Sequence, residues 1–371
     1  MARINPILMA AVLLVVAACS AALDEPERTA DTAADRVTFT VGGVATRGDG
    51  AVATRGSSAL TSGNLFTMGV FAGYEEESET FGANSVATDY INNVRYTRSF
   101  ITDPFAGADV VYWPLSGKLS FFAYAPYTSS QNIWVDPDYT VGFPRMSYKP
   151  TQDVTNQPDF CIAMPVLDQH KTTDAILLNF RHSLSQVTFA ANYTGTVPAG
   201  QYVKIDSIYI CHVIGRKTFT MSSVAPGFQW EADSECSEDD RTSYFLRRGG
   251  EVTLQHLADT QLPVSSGNVS DEYLSLSTLN GHLYLLPQSM AYGEAYLRVT
   301  YGLYQLSGTT ETLRNSYTTT VNMPAATWES GTSYLYKFTI QIAALTTTTP
   351  TVSVVDWIDG HNDQTAIHTF E

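Results

Sequence analysis

The residue best placed for a covalent modification is Cys19, which follows the small residues Ala17 and Ala18. A basic start and a short apolar run precede it, as in a bacterial lipoprotein signal that is cleaved before a cysteine, whose thiol and new amine then take lipid. We predict that residues 1–18 are the signal peptide and that lipid on Cys19 attaches the chain to the outer membrane. The alternative is an ordinary secretory signal whose cleavage region contains Cys19. The apolar run is too short to span a bilayer comfortably, and no later segment approaches that length.

Proteolysis is a second kind of chemistry that the sequence indicates. The sequence Val-Ala-Thr-Arg-Gly occurs at Val44–Gly48 and again at Val52–Gly56. Such a glycine-rich segment buries little, so a trypsin-like protease can reach Arg47 or Arg55. The alternative is a flexible connection that is not processed, and the loop alone does not decide between the two.

Residue patterns for catalysis or metal binding are scarce. The chain has no Gly-x-Ser-x-Gly, no His-Glu-x-x-His and no phosphate-binding loop. His182 precedes a strand pattern and is predicted to be a packing residue, while Cys211 and His212 point to opposite faces of a strand and cannot act as a pair. The acidic runs at residues 75–79 and 233–240 are interpreted as solvated loops, with a cation site as the alternative. We predict no enzyme, no cofactor and no metal site.

The composition argues against one class of partner. The 371 residues carry a formal net charge of −16 and a pI near 4.7. This charge opposes binding to nucleic acid and electrostatic attachment to anionic lipid.

If Cys19 takes lipid, Cys161, Cys211 and Cys236 remain, an odd number for a disulfide framework. Cys211 is predicted to be a small buried residue, while a bridge between Cys211 and Cys236 stays open.

The elements that must position these residues are predicted to be β-strands. Val37, Phe39 and Val41 alternate with threonines, which gives the first strand one apolar face. The same period of two recurs along the chain, and no long amphipathic helix is indicated. Strands with one apolar face must pack as pairs of sheets, so the fold class is all-β and the architecture a β-sandwich.

Three later strand faces and one turn are specific enough to compare with a structure. Asn280-Gly281 predicts a hairpin turn, since both of its positions favour positive φ. The faces consist of Val187, Phe189, Ala191 and Tyr193; of Leu297, Val299, Tyr301 and Leu303; and of Tyr334, Tyr336, Phe338, Ile340 and Ile342.

Changes in composition predict the domain organisation. Residues 19–35 are polar without hydrophobic periodicity, as in a tether. A change in character near residue 171 separates an N-terminal domain, residues 36–171, from a C-terminal domain, residues 172–371. A polar break at residues 346–350 makes residues 351–371 a candidate detachable segment.

Six features, taken in order, resemble the fimbrillin-like family of type V pilus subunits. They are the lipoprotein start, the first strand with its Ala-Thr-Arg loop, VYWPLSGKLSFFAYAPY at residues 111–127, NFRHSLSQVTF at 179–189, YLLPQS at 284–289, and the late YKFTI and VVDWIDG. The resemblance extends along nearly the whole chain, and the order of the features is more specific than any one of them.

The resemblance implies two transthyretin-like β-sandwich domains in tandem and assembly by strand exchange. In that family a protease cuts after an arginine in the loop that follows the first strand, a position matched here by the two arginines named above. The first strand, residues 36–41, would then leave with its inner residues Val37, Phe39 and Val41. An extended segment of another subunit would fill the groove, a case of β-augmentation.

Two interpretations of the C-terminus stay open. Val352, Val354 and Ile367 are candidate residues of a donor strand that enters a neighbouring subunit. Equally, residues 352–357 can form the last strand of the chain's own second domain, with Trp357 in its core. The choice between a stalk and a tip subunit depends on this point.

The resemblance also implies the partners. They are other pilus subunits and a ligand on a host or bacterial surface. The alternative function is a monomeric surface lipoprotein that binds glycans through aromatic side chains such as Trp113, Trp134 and Tyr139, because aromatic faces stack on sugars.

Overall fold

The fold is all-β, as predicted. The computed structural model describes residues 35–45, 63–127, 132–135, 141–154, 157–246, 274–275, 283–342, 346–347 and 351–355. The helices that lie wholly within these ranges are two single 3₁₀ turns, Asp233–Glu235 and Glu238–Asp240. None of the described helices is long and apolar enough to cross a membrane.

The strands of the described residues are numbered in chain order. They are β1 (Phe39–Ala45), β2 (Thr67–Glu75), β3 (Ile91–Thr97), β4 (Ala106–Gly107), β5 (Lys118–Ala125), β6 (Ile133–Val135), β7 (Arg145–Tyr148), β8 (Cys161–Ala163), β9 (Val166–Gln169), β10 (Ile176–His182), β11 (Ser185–Thr194), β12 (Gln201–Ile214), β13 (Lys217–Met221), β14 (Phe228–Trp230), β15 (Arg241–Leu246), β16 (Leu274–Ser275), β17 (Leu283–Leu285), β18 (Gln288–Met290), β19 (Tyr296–Ser307), β20 (Thr310–Asn322), β21 (Ala326–Trp328), β22 (Ser333–Gln341), β23 (Thr346–Thr347) and β24 (Thr351–Val355).

The first half of the chain forms an eight-stranded sheet. Its order is β1-β10-β8-β5-β2-β3-β4, with β9 also paired to β5. Every residue of β5 is buried. Phe121 and Ala123 belong to the core on one face of the sheet, and Phe122 and Tyr124 to the core on the other. Because both faces are covered, Phe121–Ala125 of β5 form a continuous apolar run rather than an alternating one.

Two further sheets enclose the core of the second half. In one, β11 and β22 pair in parallel, with β16 and β17 beside β11 and with β23 and β24 beside β22. The other has the order β15-β12-β19-β20. The three strand faces predicted from the sequence are confirmed, because all their residues lie in the core between these sheets.

A shared core joins the two halves. The first half contributes Phe71, Phe122, Tyr124, Tyr148 and Phe160, and the second contributes Phe219, Met221, Phe228, Tyr284 and Leu286. At its centre the rings of Tyr148 and Phe160 are stacked, with centroids 4.0 Å apart. A small sheet of order β14-β13-β7-β6 crosses the same boundary through the pairing of β13 with β7. The two halves are therefore held by apolar packing and by backbone hydrogen bonds.

Two long-range pairings differ from the sequence expectations. β10 lies beyond the expected boundary at residue 171, yet it pairs with β1 and β8 of the first sheet. The division into two domains stays a prediction, and the change of sheet falls between β10 and β11.

The predicted hairpin is wrong for the described strands around it: β16 and β17 both pair with β11 instead of with each other. The turn itself, Asn280-Gly281, lies outside the described residues.

Among the described residues, the three cysteines form no disulfide bond. Cys161 and Cys211 are buried and Cys236 is partly exposed. Cys211 is only 3% exposed, which confirms its predicted burial. The bridge between Cys211 and Cys236 is not formed.

The end of the described chain pairs within its own sheet. β24 is antiparallel to β22, with Val352 opposite Tyr336 and Val354 opposite Tyr334. Tyr334 and Tyr336 belong to the core of the second half. This arrangement is that of a last strand of the chain's own sheet. Ile367 and Trp357 lie outside the described residues.

We expect truncation to show how much β24, as opposed to the residues that follow it, contributes to the free energy of unfolding. A chain ending at residue 350 loses β24 and leaves the edge of β22 unpaired, so its free energy of unfolding should fall by about 2–5 kcal/mol, since each lost hydrogen bond contributes about 1 kcal/mol. The matched control is a chain ending at Val355, which keeps β24. Urea unfolding of both chains measures the difference, and equal stabilities would contradict a structural role for β24.

Candidate functional site

The candidate site is the place that β1 occupies in the first sheet. Val37, Phe39 and Val41, the predicted inner residues of the first strand, are all described. The strand begins at Phe39 and extends to Ala45, whereas residues 36–41 were expected, and Arg36 forms an isolated bridge ahead of it. Cys19, Arg47 and Arg55 lie outside the described residues, so lipidation and cleavage stay predictions.

One edge of β1 pairs with β10. The two strands are parallel, with Phe39 opposite Ile176 and Val44 opposite Phe180, and a bulge lies between Val41 and Gly43. Parallel neighbours require a long connection, and here more than half of the first sheet intervenes in sequence.

The bulge explains a glycine in β1. A methyl group at Gly42 would lie 2.4 Å from Asn179 Oδ1 and 3.0 Å from Leu177 Cδ1, so a larger residue here would require these two side chains of β10 to move.

The other edge of β1 contacts the segment from Phe105 to Trp113. Phe39 forms an antiparallel bridge with Phe105, and Arg36 forms one with Tyr112. The amide of Val37 donates a 2.8 Å hydrogen bond to the carbonyl of residue 111, and the Trp113 amide donates one of 2.8 Å to that of residue 35. Since this segment continues from β4 at the far end of the sheet, the first strand closes the gap between the two ends.

The inner side chains of this strand fill the first core. Val37, Phe39 and Val44 are buried, and Val41 is partly buried against the same cluster. The Phe39 ring is fully buried, with its centroid 4.9 Å from that of Tyr96 and 5.5 Å from that of Phe121, both edge to face. Such aromatic pairs contribute beyond the area that they bury.

Two polar atoms lie in the same core without a hydrogen-bond partner among the described residues. They are the hydroxyl of Tyr96 and the indole Nε1 of Trp113. Burial raises the pKa of Tyr96 to about 12. A buried donor without a partner costs free energy, and hydration would recover that cost. Opening the core to water is therefore less unfavourable here than in a purely apolar core.

The structure reveals a buried polar cluster that the sequence analysis missed. His182, predicted to be a packing residue, is buried as expected, but its Nδ1 lies 2.6 Å from Asp159 Oδ2 and 3.5 Å from Cys161 Sγ. Cys161 is the first residue of β8 and Asp159 lies two residues ahead of it in the chain, whereas His182 is the last residue of β10. The Asp-x-Cys spacing was the available signal, but its partner lies on another strand that the sequence does not identify.

The aromatic residues considered for glycan binding are not brought together as a surface. Trp113 is buried beside Phe121, with ring centroids 5.7 Å apart, so it belongs to the core. Trp134 is 38% exposed and lies under the guanidinium of Arg216. Tyr139 lies outside the described residues.

Comparison with known proteins identifies the family. A sequence model described as fimbrillin-like matches residues 54–357, which is most of the chain. The chain belongs to the fimbrillin-like family. The resemblance noted in the sequence is thereby confirmed, and membership supports a surface role as a pilus subunit or in adhesion.

Two solved structures are similar to this fimbrillin-like chain, and the first of them shares its fold. A fimbrial protein from Bacteroides vulgatus matches with a TM-score of 0.60 and 18% identity, over 86% of this chain and 99% of that one. A protein from Bacteroides ovatus assigned to cell adhesion matches with a TM-score of 0.48 and 15% identity, over 87% and 98% of the two chains. No curated protein sequence gives a significant match.

We expect the Phe39 side chain to contribute much of the stability that the first strand gives to the core beneath it. Phe39→Ala should lower the free energy of unfolding by about 3–5 kcal/mol, because it empties a fully buried ring site. Thr40→Ala is the matched control on the same strand, since Thr40 is exposed, and it should cost less than about 1 kcal/mol. Denaturant unfolding measures both, and similar losses for the two variants would refute the role of Phe39.

Proposed function

We propose that this fimbrillin-like chain is a pilus subunit that assembles by donor-strand exchange after its first strand is removed. The observation that carries the proposal is the position of that strand. It lies between β10 and the segment 105–113, it is the first strand of the described residues, and Arg47 comes two residues after its end at Ala45 in the sequence. A strand in this position can leave by one cut without breaking the chain of the remaining body.

The proposed order of events begins at the membrane. The chain is exported as a lipoprotein on Cys19, with residues 19–35 as tether. Cleavage after Arg47 or Arg55 then separates the lipid, the tether and β1 from the body. One cut thereby releases the subunit from the outer membrane and opens the groove.

The groove that β1 leaves determines which donor strand can bind in it. Loss of the strand exposes two unpaired backbone edges and the apolar walls around Tyr96 and Phe121, which are costly in water. A donor must run parallel to β10 and antiparallel to the 105–113 segment. It must also place a large apolar side chain where Phe39 lay. Before cleavage the chain's own strand satisfies these requirements, so premature assembly is blocked.

The donor is proposed to come from the C-terminal segment, residues 351–371. Val352 and Val354 are paired to β22 within the chain, so their use as donor residues requires β24 to leave its sheet. Ile367 lies beyond that strand and can be donated without this cost. A subunit that keeps β24 and donates nothing would occupy the tip, and one that donates would occupy the stalk.

Adhesion to a ligand on a host or bacterial surface is the proposed role of the assembled pilus. The alternative, a monomeric lipoprotein that binds glycans, loses support from Trp113, whose ring is in the core. Trp134 alone does not form a binding surface.

Replacing both Arg47 and Arg55 by alanine should prevent release of β1 and abolish polymerisation while the body stays folded. Each single variant should still assemble, because the repeated sequence offers a second site. Arg314→Ala, at an exposed arginine on β20, is the control and should assemble normally. After trypsin treatment, polymerisation is measured by denaturation-resistant ladders, and the cleavage site is identified by N-terminal sequencing. A mature assembled chain that begins at Cys19 would refute the proposal.

Cys19→Ala should abolish lipid attachment and remove the protein from the outer-membrane fraction. The expected result is no incorporation of labelled palmitate in the variant, because the thiol that accepts lipid is absent. Cys236→Ala is the control, since that cysteine lies in the folded body and is partly exposed. Palmitate in the Cys19 variant at the wild-type level would show that lipid is attached elsewhere.

A further inference from the structure

The buried cluster of Asp159, Cys161 and His182 has the composition of a metal site. Cys161 begins β8 and lies directly opposite His182 at the end of β10. Asp159 precedes Cys161 by two residues, and alternate residues of an extended segment lie on the same face. The backbone thus brings a carboxylate, a thiol and an imidazole to one place.

The three side chains are close and shielded from water. Asp159 and His182 are each 2% exposed and Cys161 is fully buried. The carboxylate oxygen, the sulfur and a ring nitrogen all lie within 4.8 Å of one another. Exposed acidic clusters are common without a bound ion. This cluster differs because it is buried and combines a carboxylate, a thiol and an imidazole.

We propose that Asp159, Cys161 and His182 bind a zinc-class divalent cation. Zinc takes sulfur at about 2.3 Å and nitrogen or oxygen at about 2.0–2.2 Å. Tetrahedral ligands at these lengths place nitrogen and sulfur roughly 3.5 Å apart, and His182 Nδ1 lies 3.5 Å from Cys161 Sγ. The 2.6 Å contact between His182 Nδ1 and Asp159 Oδ2 is a hydrogen bond, which must open by roughly 0.7 Å as the metal replaces the shared proton.

Charge balance supports a divalent ion at this depth. A thiolate and a carboxylate together neutralise two positive charges, so the bound cluster carries no net charge into the interior. Binding releases the thiol proton and leaves the imidazole protonated only at Nε2, so affinity should fall as the pH falls.

A nearby hydroxyl provides an independent indication of a polar ligand. Tyr148 is buried, and its hydroxyl has no hydrogen-bond partner among the described residues. Its ring is stacked on Phe160, which lies between Asp159 and Cys161, and it interacts electrostatically with both of these residues. Burial raises the pKa of Tyr148, so its hydroxyl stays protonated and can donate to a metal ligand. If the hydroxyl turns toward a ligand of the bound ion, it would supply an outer hydrogen bond of the kind that orients metal ligands.

The site would have a structural role that does not depend on strand exchange. It would fix β10 to β8 through His182 and Cys161. Because β10 also carries β1 on its other edge, the ion would keep that edge in place whether the first strand is present or not.

The test is metal content of the purified full chain, as isolated and after incubation with one equivalent of Zn²⁺ and desalting. We expect one ion per chain, and with Co²⁺ a near-ultraviolet thiolate charge-transfer band. Cys161→Ala should weaken binding on the order of 100-fold or more and abolish the band. Tyr148→Phe should weaken binding by about 10–100-fold. Cys211→Ala, at a buried cysteine outside the cluster, is the matched control and should bind as the wild type does.

Three outcomes would overturn the proposal. The first is a folded wild-type chain that holds no ion after incubation, which would leave the cluster as a hydrogen-bonded group only. The second is stoichiometric Co²⁺ without the thiolate band, which would place the ion elsewhere. The third is equal binding by folded Cys161→Ala or Cys161→Ser, with folding checked by circular dichroism. If both variants fail to fold, the wild-type Co²⁺ spectrum decides.

Discussion

The first sheet depends on one strand to join its two ends. β1 pairs with β10 on one side, and its start bridges the 105–113 segment on the other. Both neighbours would otherwise present unpaired backbone groups over an apolar core. The first strand of the described residues therefore contributes backbone pairing at both ends of the sheet.

The shared core explains how the body can persist when this closure is lost. β5 contributes Phe121 to the core beneath the first strand and Phe122 to the shared core on the opposite face. Removing the strand uncovers only the first of these faces. The second stays packed against the other half of the chain, which also holds β7 through β13. If the first strand is released as proposed, one core is exposed while the second stays intact.

Buried polar groups occur within the apolar cores, and they differ in their hydrogen bonding. Tyr96 and Trp113 place polar atoms in the core under the first strand, where access of water would satisfy them. Asp159 Oδ2 and His182 Nδ1 instead form a hydrogen bond of 2.6 Å with each other. The first arrangement suits a core that opens, and the second suits a fixed connection between neighbouring strands.

The sequence by itself determined which residues lie inside and what kind of element carries them. Alternation with a period of two identified the all-β fold and the inner residues of β11, β19 and β22, because burial on one face of a strand requires that pattern. The six features, in their order along the chain, also predicted the family, which the sequence model confirms. The tertiary structure alone decided which strands are neighbours: the parallel pairing of β1 with β10, the place of β10 in the first sheet, and the meeting of His182 with Asp159. Alternation specifies a face but not a partner, since any strand edge offers the same backbone groups, and the choice among edges is made by packing between residues that are far apart in sequence.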